Sequence, residues 1–218
     1  MRYKVLFSII AISSYMYATT SSYKPFIKTS NMKMTSQENT ILNTSLAEPQ
    51  VKSETIFLKG KPIQTIGSLP QKGTEAPDFT GTDKDLNDIS LKDFKGKTVV
   101  LNIFPSLDTP TCAASVRYFN ETASTLNQTV VLCISMDLPF AQRRFCTTEG
   151  LNNVLPISIF RSDSFKKNYP ILIKEGPMKD LCARAVIVID ANGKIIYTEL
   201  VKEISEEPNY DAILKILK

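Results

Sequence analysis

An apolar run that stops at a proline, with a helix signal directly behind it, constrains this chain more than any other stretch. Val99-Val100-Leu101-Asn102-Ile103-Phe104 reads as a buried strand. Pro105 ends it, because proline has no N–H to give to a sheet ladder. Thr109 is placed to cap a helix, and Pro110 takes its first position, where a missing N–H costs nothing. Cys112 therefore falls in the first helical turn. Unpaired backbone N–H groups and the positive end of the helix dipole meet there, and both favour a thiolate. Cys112 is thus a candidate nucleophile. The other reading is a buried cysteine that only fills space, and the spacing alone leaves both open.

Pro105-x-x-x-Thr109-x-x-Cys112 matches the active-site pattern of peroxiredoxins. The surrounding residues are Leu101-Asn102-Ile103-Phe104-Pro105-Ser106, Asp108-Thr109 and Cys112-Ala113-Ala114-Ser115-Val116-Arg117. They resemble the bacterial thiol peroxidase branch of that family, the atypical two-cysteine peroxiredoxins. Further matching pieces follow in order: Val130–Ser135, Asp137–Gln142, Arg144-Phe145-Cys146, Glu149–Val154 and Ala183–Val186. The resemblance covers residues 51–218, including the last helix.

The resemblance implies a thiol peroxidase serving antioxidant defence. Cys112 is then the residue that attacks a hydroperoxide and becomes a sulfenic acid. Thr109 offers a hydroxyl that can donate to the sulfur and accept from the peroxide. Arg184 is brought beside the cysteine, where its fixed charge favours the thiolate and orients the peroxide oxygens. Pro105 shields the sulfur from water. Cys146, on a second helix, becomes the resolving cysteine, which closes an intrachain Cys112–Cys146 disulfide. A disulfide needs its Cα atoms within about 7 Å, so two cysteines on separate helices imply local unwinding at each turnover.

Two cysteines remain. Cys133 sits inside an apolar run and is read as inert core. Cys182 stands where the family has a small residue; it is read as inert, with a role as an alternative partner of Cys112 left open. The implied partners are a hydroperoxide substrate, a thioredoxin-type dithiol as reductant and a second copy in a homodimer, with Arg117 and Phe119 as interface candidates. No metal, haem, flavin or other cofactor is implied. A competing class is a redox sensor on the same fold. It would share the first step but stop after one oxidation.

Periodicity places the elements. Thr55–Leu58 and Ile63–Ile66 flank Lys59-Gly60-Lys61-Pro62 as a small hairpin, and 74–97 reads as a loop with short turns. Thr98–Phe104 and Thr129–Met136 are buried strands. Helices are expected from Pro110 to about Leu126, from Pro139 to about Thr148 with Gly150 at its end, and over Phe165–Tyr169. Ala185–Ile189 and Lys194–Val201 form a hairpin around Asn192-Gly193, and Pro208 opens a last helix. The β-α-β order demands a parallel right-handed crossover, whereas the later hairpin is antiparallel. The expected class is α/β: a thioredoxin-like mixed sheet flanked by helices. The resemblance adds an N-terminal β-hairpin.

Composition removes other classes. The chain has no histidine, which excludes histidine bases and histidine-ligated metals, and no tryptophan. No Cys-x-x-Cys occurs among its four cysteines, so a structural zinc site is not expected. The formal charge is +4, but residues 1–50 carry five basic groups (Arg2, Lys4, Lys24, Lys28, Lys33) against Glu38 and Glu48. That segment is therefore +3 and the remainder +1, so no nucleic-acid partner is implied.

Met1-Arg2-Tyr3-Lys4 followed by an apolar stretch from Val5 to Ala18 has the layout of a signal peptide over 1–18. Residues 19–50, rich in Ser, Thr, Asn and Lys, read as a disordered linker or a transit segment. Export to a periplasmic, secreted or organellar destination follows. The alternative is a cytoplasmic form starting at Met32 or Met34. No stable membrane association is expected of the mature domain.

Overall fold

The structure, a computed structural model, describes residues 52–218. The signal expected at 1–18 and the linker at 19–50 lie outside these residues.

An antiparallel hairpin comes first, β1 (Thr55–Leu58) with β2 (Lys61–Gln64), turning on Lys59 and Gly60, both at positive φ. Pro62 pairs with Phe57 inside β2 instead of lying in the turn. The main sheet has seven strands in the order β4-β3-β7-β6-β5-β8-β9. At its centre β5 (Thr98–Ile103) runs parallel to β6 (Thr129–Ser135) and antiparallel to β8 (Ala185–Ile189). β7 (Leu155–Ser158) continues the parallel part, and β9 (Ile195–Leu200) closes the hairpin with β8. The sheet is mixed, flanked by helices and carries the extra hairpin, as expected.

Alternation along the strands divides the core. Val99, Leu101 and Ile103 of β5 join Leu132, Ile134, Ile187 and the hairpin's Ile56 and Ile63 in one buried cluster. Val100 joins Val131, Cys133, Val186 and Val188 in a second cluster. This second cluster is closed by α1 (Pro110–Ala123), α2 (Pro139–Glu149) and α4 (Tyr210–Leu217). The first is closed in part by the short α3 (Asp163–Asn168), through Phe165.

Two strand regions escape the sequence pattern. Residues 74–97 contain β3 (Thr80–Asp83), β4 (Asp88–Ser90) and a 3₁₀ turn at Leu91–Phe94. β3 reads Thr-Gly-Thr-Asp, with no apolar alternation, because it comes so close to β7 that a Cβ on Gly81 would collide with Ile157 Cγ2. β7 itself is hidden by Pro156. The pairing with β3 begins only at Ile157, so the proline sits where that side of the strand has no partner.

Helix ends also differ from expectation. α1 stops at Ala123, short of Leu126. The hydroxyls of Ser124 and Thr125 donate to the carbonyls of Glu121 and Thr122, at 2.6 and 2.8 Å, and take up acceptors that another turn would need. α4 begins at Tyr210, not at Pro208, because the Asn209 side chain caps it by accepting from the Ala212 N–H at 3.0 Å.

Candidate active site

Cys112 is the third residue of α1. Thr109 is the N-cap with extended backbone, and Pro110 follows at the first position. The strand above runs one residue further than β5 itself, since the Phe104 N–H still reaches the Ile134 carbonyl at 3.1 Å. Pro105, buried, then breaks the ladder. The link from Ser106 to Thr109 is held from outside. Asp137 accepts from the Ser106 hydroxyl and from the Leu107 N–H, both at 2.7 Å.

The Cys112 side chain is fully buried. Arg184, which directly precedes β8, reaches it: its Nη2 donates to Cys112 Sγ at 3.3 Å. Arg184 is itself 2% exposed. Its Nε and Nη2 both donate to the Ile204 carbonyl, at 3.1 and 3.0 Å, which fixes the plane of the guanidinium. Its Nη1 is buried and has no hydrogen-bond partner among the described residues. A buried charged donor without a partner is costly, and this one belongs to the group that touches the sulfur.

Thr109 departs from its expected contact. Its hydroxyl donates to the Ser106 carbonyl at 3.1 Å, not to Cys112, and makes no capping bond to the helix. The single hydroxyl proton is committed within the loop, and the lone pairs remain to accept.

Below the first turn lies a buried polar group. Cys112's carbonyl accepts from Ser115 Oγ at 3.0 Å, and Ser115 accepts from Asn102 Nδ2 at 3.3 Å. Asn102 Nδ2 also approaches Cys133 Sγ at 3.8 Å, and Asn102 Oδ1 has no partner among the described residues.

All four cysteines are free thiols. Cys112, Cys133 and Cys146 pack in the same cluster, and Cys182 packs in the other. Cys146 stands in the C-terminal part of α2, 5% exposed, and its carbonyl accepts from the Leu151 N–H at 2.9 Å where Gly150 turns left-handed. Burial pushes its thiol up, and the charge of Lys84 offsets part of that rise. Burial likewise lifts Cys133 to about 12, and it raises Cys182 strongly. Burial in the intact α2 thus works against ionisation of Cys146.

Of the two interface candidates, Phe119 is 1% exposed and packs edge-on to Tyr210 at 5.7 Å, so it belongs to the core. Arg117 forms a two-pronged pair with Glu149 at 2.9 and 2.8 Å and ties α1 to α2. Among the described residues no group of three or more Cys, Asp or Glu side chains is placed to hold a metal ion, and no helix is long and apolar enough to cross a membrane. A cavity of about 590 Å³ lined by Pro77, Leu91, Phe94 and Ile189 includes none of the residues around Cys112.

The structure thus brings Cys112 and Arg184 into contact, with Pro105 and Thr109 in the link that leads into α1. Asp137, Ser115, Asn102 and the Ile204 carbonyl complete the surroundings and were not foreseen. Asp137 lies two residues before Pro139, and nothing in that position marks it as the anchor of a distant loop. A main-chain carbonyl has no sequence signature at all.

A sequence profile of the Redoxin family matches residues 71–214. A thiol peroxidase of Mycobacterium tuberculosis is 56% identical over 162 residues, covering 74% of this chain and 97% of that protein. Among solved structures, a peroxiredoxin-like protein from Aquifex aeolicus superposes with a TM-score of 0.71 at 40% identity, covering 76% of this chain and 96% of that one. A thiol peroxidase from Chromobacterium violaceum gives 0.67 at 25% identity, covering 75% and 94%.

Proposed function

The chain belongs to the redoxin family, among its thiol peroxidases, and we propose that it reduces hydrogen peroxide and alkyl hydroperoxides through a Cys112 sulfenic acid and a Cys112–Cys146 disulfide. The observation that carries this reading is the buried Arg184, with Nη2 on the Cys112 sulfur and Nη1 unpaired beside it. The first prong holds the sulfur in place, and the second is a donor ready for a peroxide oxygen.

The thiolate attacks the distal oxygen, the O–O bond breaks, and the leaving oxygen takes a proton to depart as water or an alcohol. Cys112 is left as a sulfenic acid. The Cys146 sulfur then attacks the sulfenic sulfur and water leaves, giving the disulfide. Both sulfurs start within helices as free thiols, so α1 and α2 open locally for this step. Two exchange steps with a thioredoxin-type dithiol restore the thiols. Pro105 limits water at the sulfur, and Thr109 accepts from the peroxide. Cys182, in the other core cluster and raised by burial, takes no part. A homodimer and an N-terminal export signal belong to the same proposal.

The test is hydroperoxide-dependent consumption of reductant by the full chain with thioredoxin and its reductase, with Cys112→Ser beside it. Sustained turnover that disappears in the variant supports the peroxidase. A single stoichiometric oxidation without turnover points to a redox sensor.

A further inference from the structure

Asp137 lies between β6 and α2, and it is tied to both cysteine-bearing segments. Besides Ser106 and Leu107 of the loop before Cys112, its carboxylate accepts from the Ser135 hydroxyl at 2.9 Å. The Ser135 oxygen in turn accepts from Gln142 Nε2 at 3.1 Å. Gln142 is on α2, one helical turn before Cys146 and on the same side of the helix. A continuous chain of hydrogen bonds therefore links the Cys112 loop to the helix of Cys146.

The last member of this chain is unusual. Gln142 is 0% exposed, and its Oε1 has no hydrogen-bond partner among the described residues. Turning the amide over does not help, since Ser135 already donates its one proton to Asp137 and one end of the amide stays bare. A buried, half-satisfied amide raises the free energy of the closed helix. That cost is released when the helix opens and the amide meets water. α2 has only 11 residues, and the Cys146 N–H bonds back to the Gln142 carbonyl in the regular helical ladder. Freeing Cys146 therefore disrupts the turn that Gln142 begins.

Resting on the assignment of Cys112 and Cys146 given above, we propose that Gln142 is a positioning residue for the resolving step: its half-satisfied burial keeps α2 poised to open, and Ser135, anchored on Asp137, supplies the one bond that holds it shut. Once the sulfenic acid exists it has two fates. Cys146 displaces water from it to form the disulfide, or a second hydroperoxide oxidises it to the sulfinic acid while being reduced to water or alcohol. The ease of opening sets the ratio between them, and the ratio does not depend on how fast the sulfenic acid was made.

Two substitutions should move that ratio in opposite directions. Gln142→Met keeps the volume; it gives up the single neutral bond to Ser135 but also removes the buried orphaned carbonyl, whose desolvation is the larger of the two, so the closed helix becomes more stable and resolution slows. Ser135→Ala removes the last partner of Gln142, so the helix opens more readily. The full chain is reduced, freed of reductant, treated with graded hydrogen peroxide and mapped by peptide mass spectrometry. Gln142→Met should reach half sulfinic acid at about three- to tenfold less peroxide than the parent, and Ser135→Ala should need more. Both variants moving the same way, or Gln142→Met not moving, overturns the proposal. Gln142→Met alone decides it if Ser135→Ala does not fold. A parent protein that forms sulfenic acid but no Cys112–Cys146 disulfide refutes the assignment beneath, and the proposal falls with it. An intact disulfide with unchanged ratios refutes the role of Gln142 alone.

Discussion

Replacing Arg184 with lysine keeps the positive charge but removes the geometry that the site uses. The guanidinium spans two acceptors at once: Nε and Nη2 hold the Ile204 carbonyl, and Nη2 also reaches Cys112 Sγ at 3.3 Å. A lysine has one nitrogen on a flexible stem and cannot hold both in a plane while leaving a further donor for the peroxide. Losing one hydrogen bond between charged groups costs about 1.5–3 kcal/mol. At tenfold per 1.4 kcal/mol, Arg184→Lys should slow the reaction of Cys112 with hydrogen peroxide by about 10- to 150-fold. Arg184→Met also removes the charge that faces the buried sulfur. With a penalty of about 3–5 kcal/mol, it should slow the reaction by at least 100-fold. The chain has no tryptophan, so the assay is chemical: rapid mixing with peroxide, an alkylating quench, and mass spectrometry of the Cys112 peptide. Melting midpoints of the variants check that the fold survives. Arg184→Lys reacting within about twofold of the parent, with its fold intact, would refute the reasoning that the guanidinium plane prepares the sulfur.

Further predictions concern resolution, packing and pH. Cys146→Ser should still be oxidised once and then accumulate sulfinic acid at Cys112, as read by peptide mass; normal cycling with thioredoxin would mean that another sulfur resolves. Gly81→Ala drives a methyl into Ile157 and should cost about 1–3 kcal/mol, visible as a melting point lower by several degrees; an unchanged midpoint would mean that β3 shifts freely. Ser115→Ala strips the buried Asn102 amide of its near partner and should cost about 1–3 kcal/mol in denaturant titration, with no loss counting against the polar group under Cys112. Glu203 is held down to about 2, first by the Gly60 N–H and then by the Ser205 hydroxyl and other backbone donors. Because the folded form binds its proton less readily, this contribution to the hairpin is complete above the ordinary value of 4.5 and fades as pH falls towards 2. A carboxyl chemical-shift titration with its midpoint near 4.5 would contradict that.

The parts of the fold that could be read from sequence are those in which one residue type has one physical use. Pro105, Thr109 and Pro110 end a strand and start a helix, and the structure places α1 at Pro110. Gly150 ends α2 in the left-handed region, as its position suggests. Asn192-Gly193 marks the β8–β9 turn, with Gly193 at positive φ. What could not be read depends on neighbours distant in sequence. β3 lacks a pattern because Ile157 leaves no room for a side chain at Gly81, and β7 contains a proline that is harmless only because β3 stops short of it. At the site, Cys112 stood out by spacing and resemblance, and Cys146 and Arg184 by resemblance alone. The Ile204 carbonyl that orients Arg184, and the path from Asp137 through Ser135 to Gln142, exist only once the chain has folded.

The most direct test of the central claim is peptide mapping of the full chain after one equivalent of hydrogen peroxide, with no reductant present. Cys112 and Cys146 are expected as one disulfide-linked pair, with Cys133 and Cys182 still alkylatable on unfolding. Recovery of Cys112 as an unmodified thiol, or joined to Cys182, would contradict it.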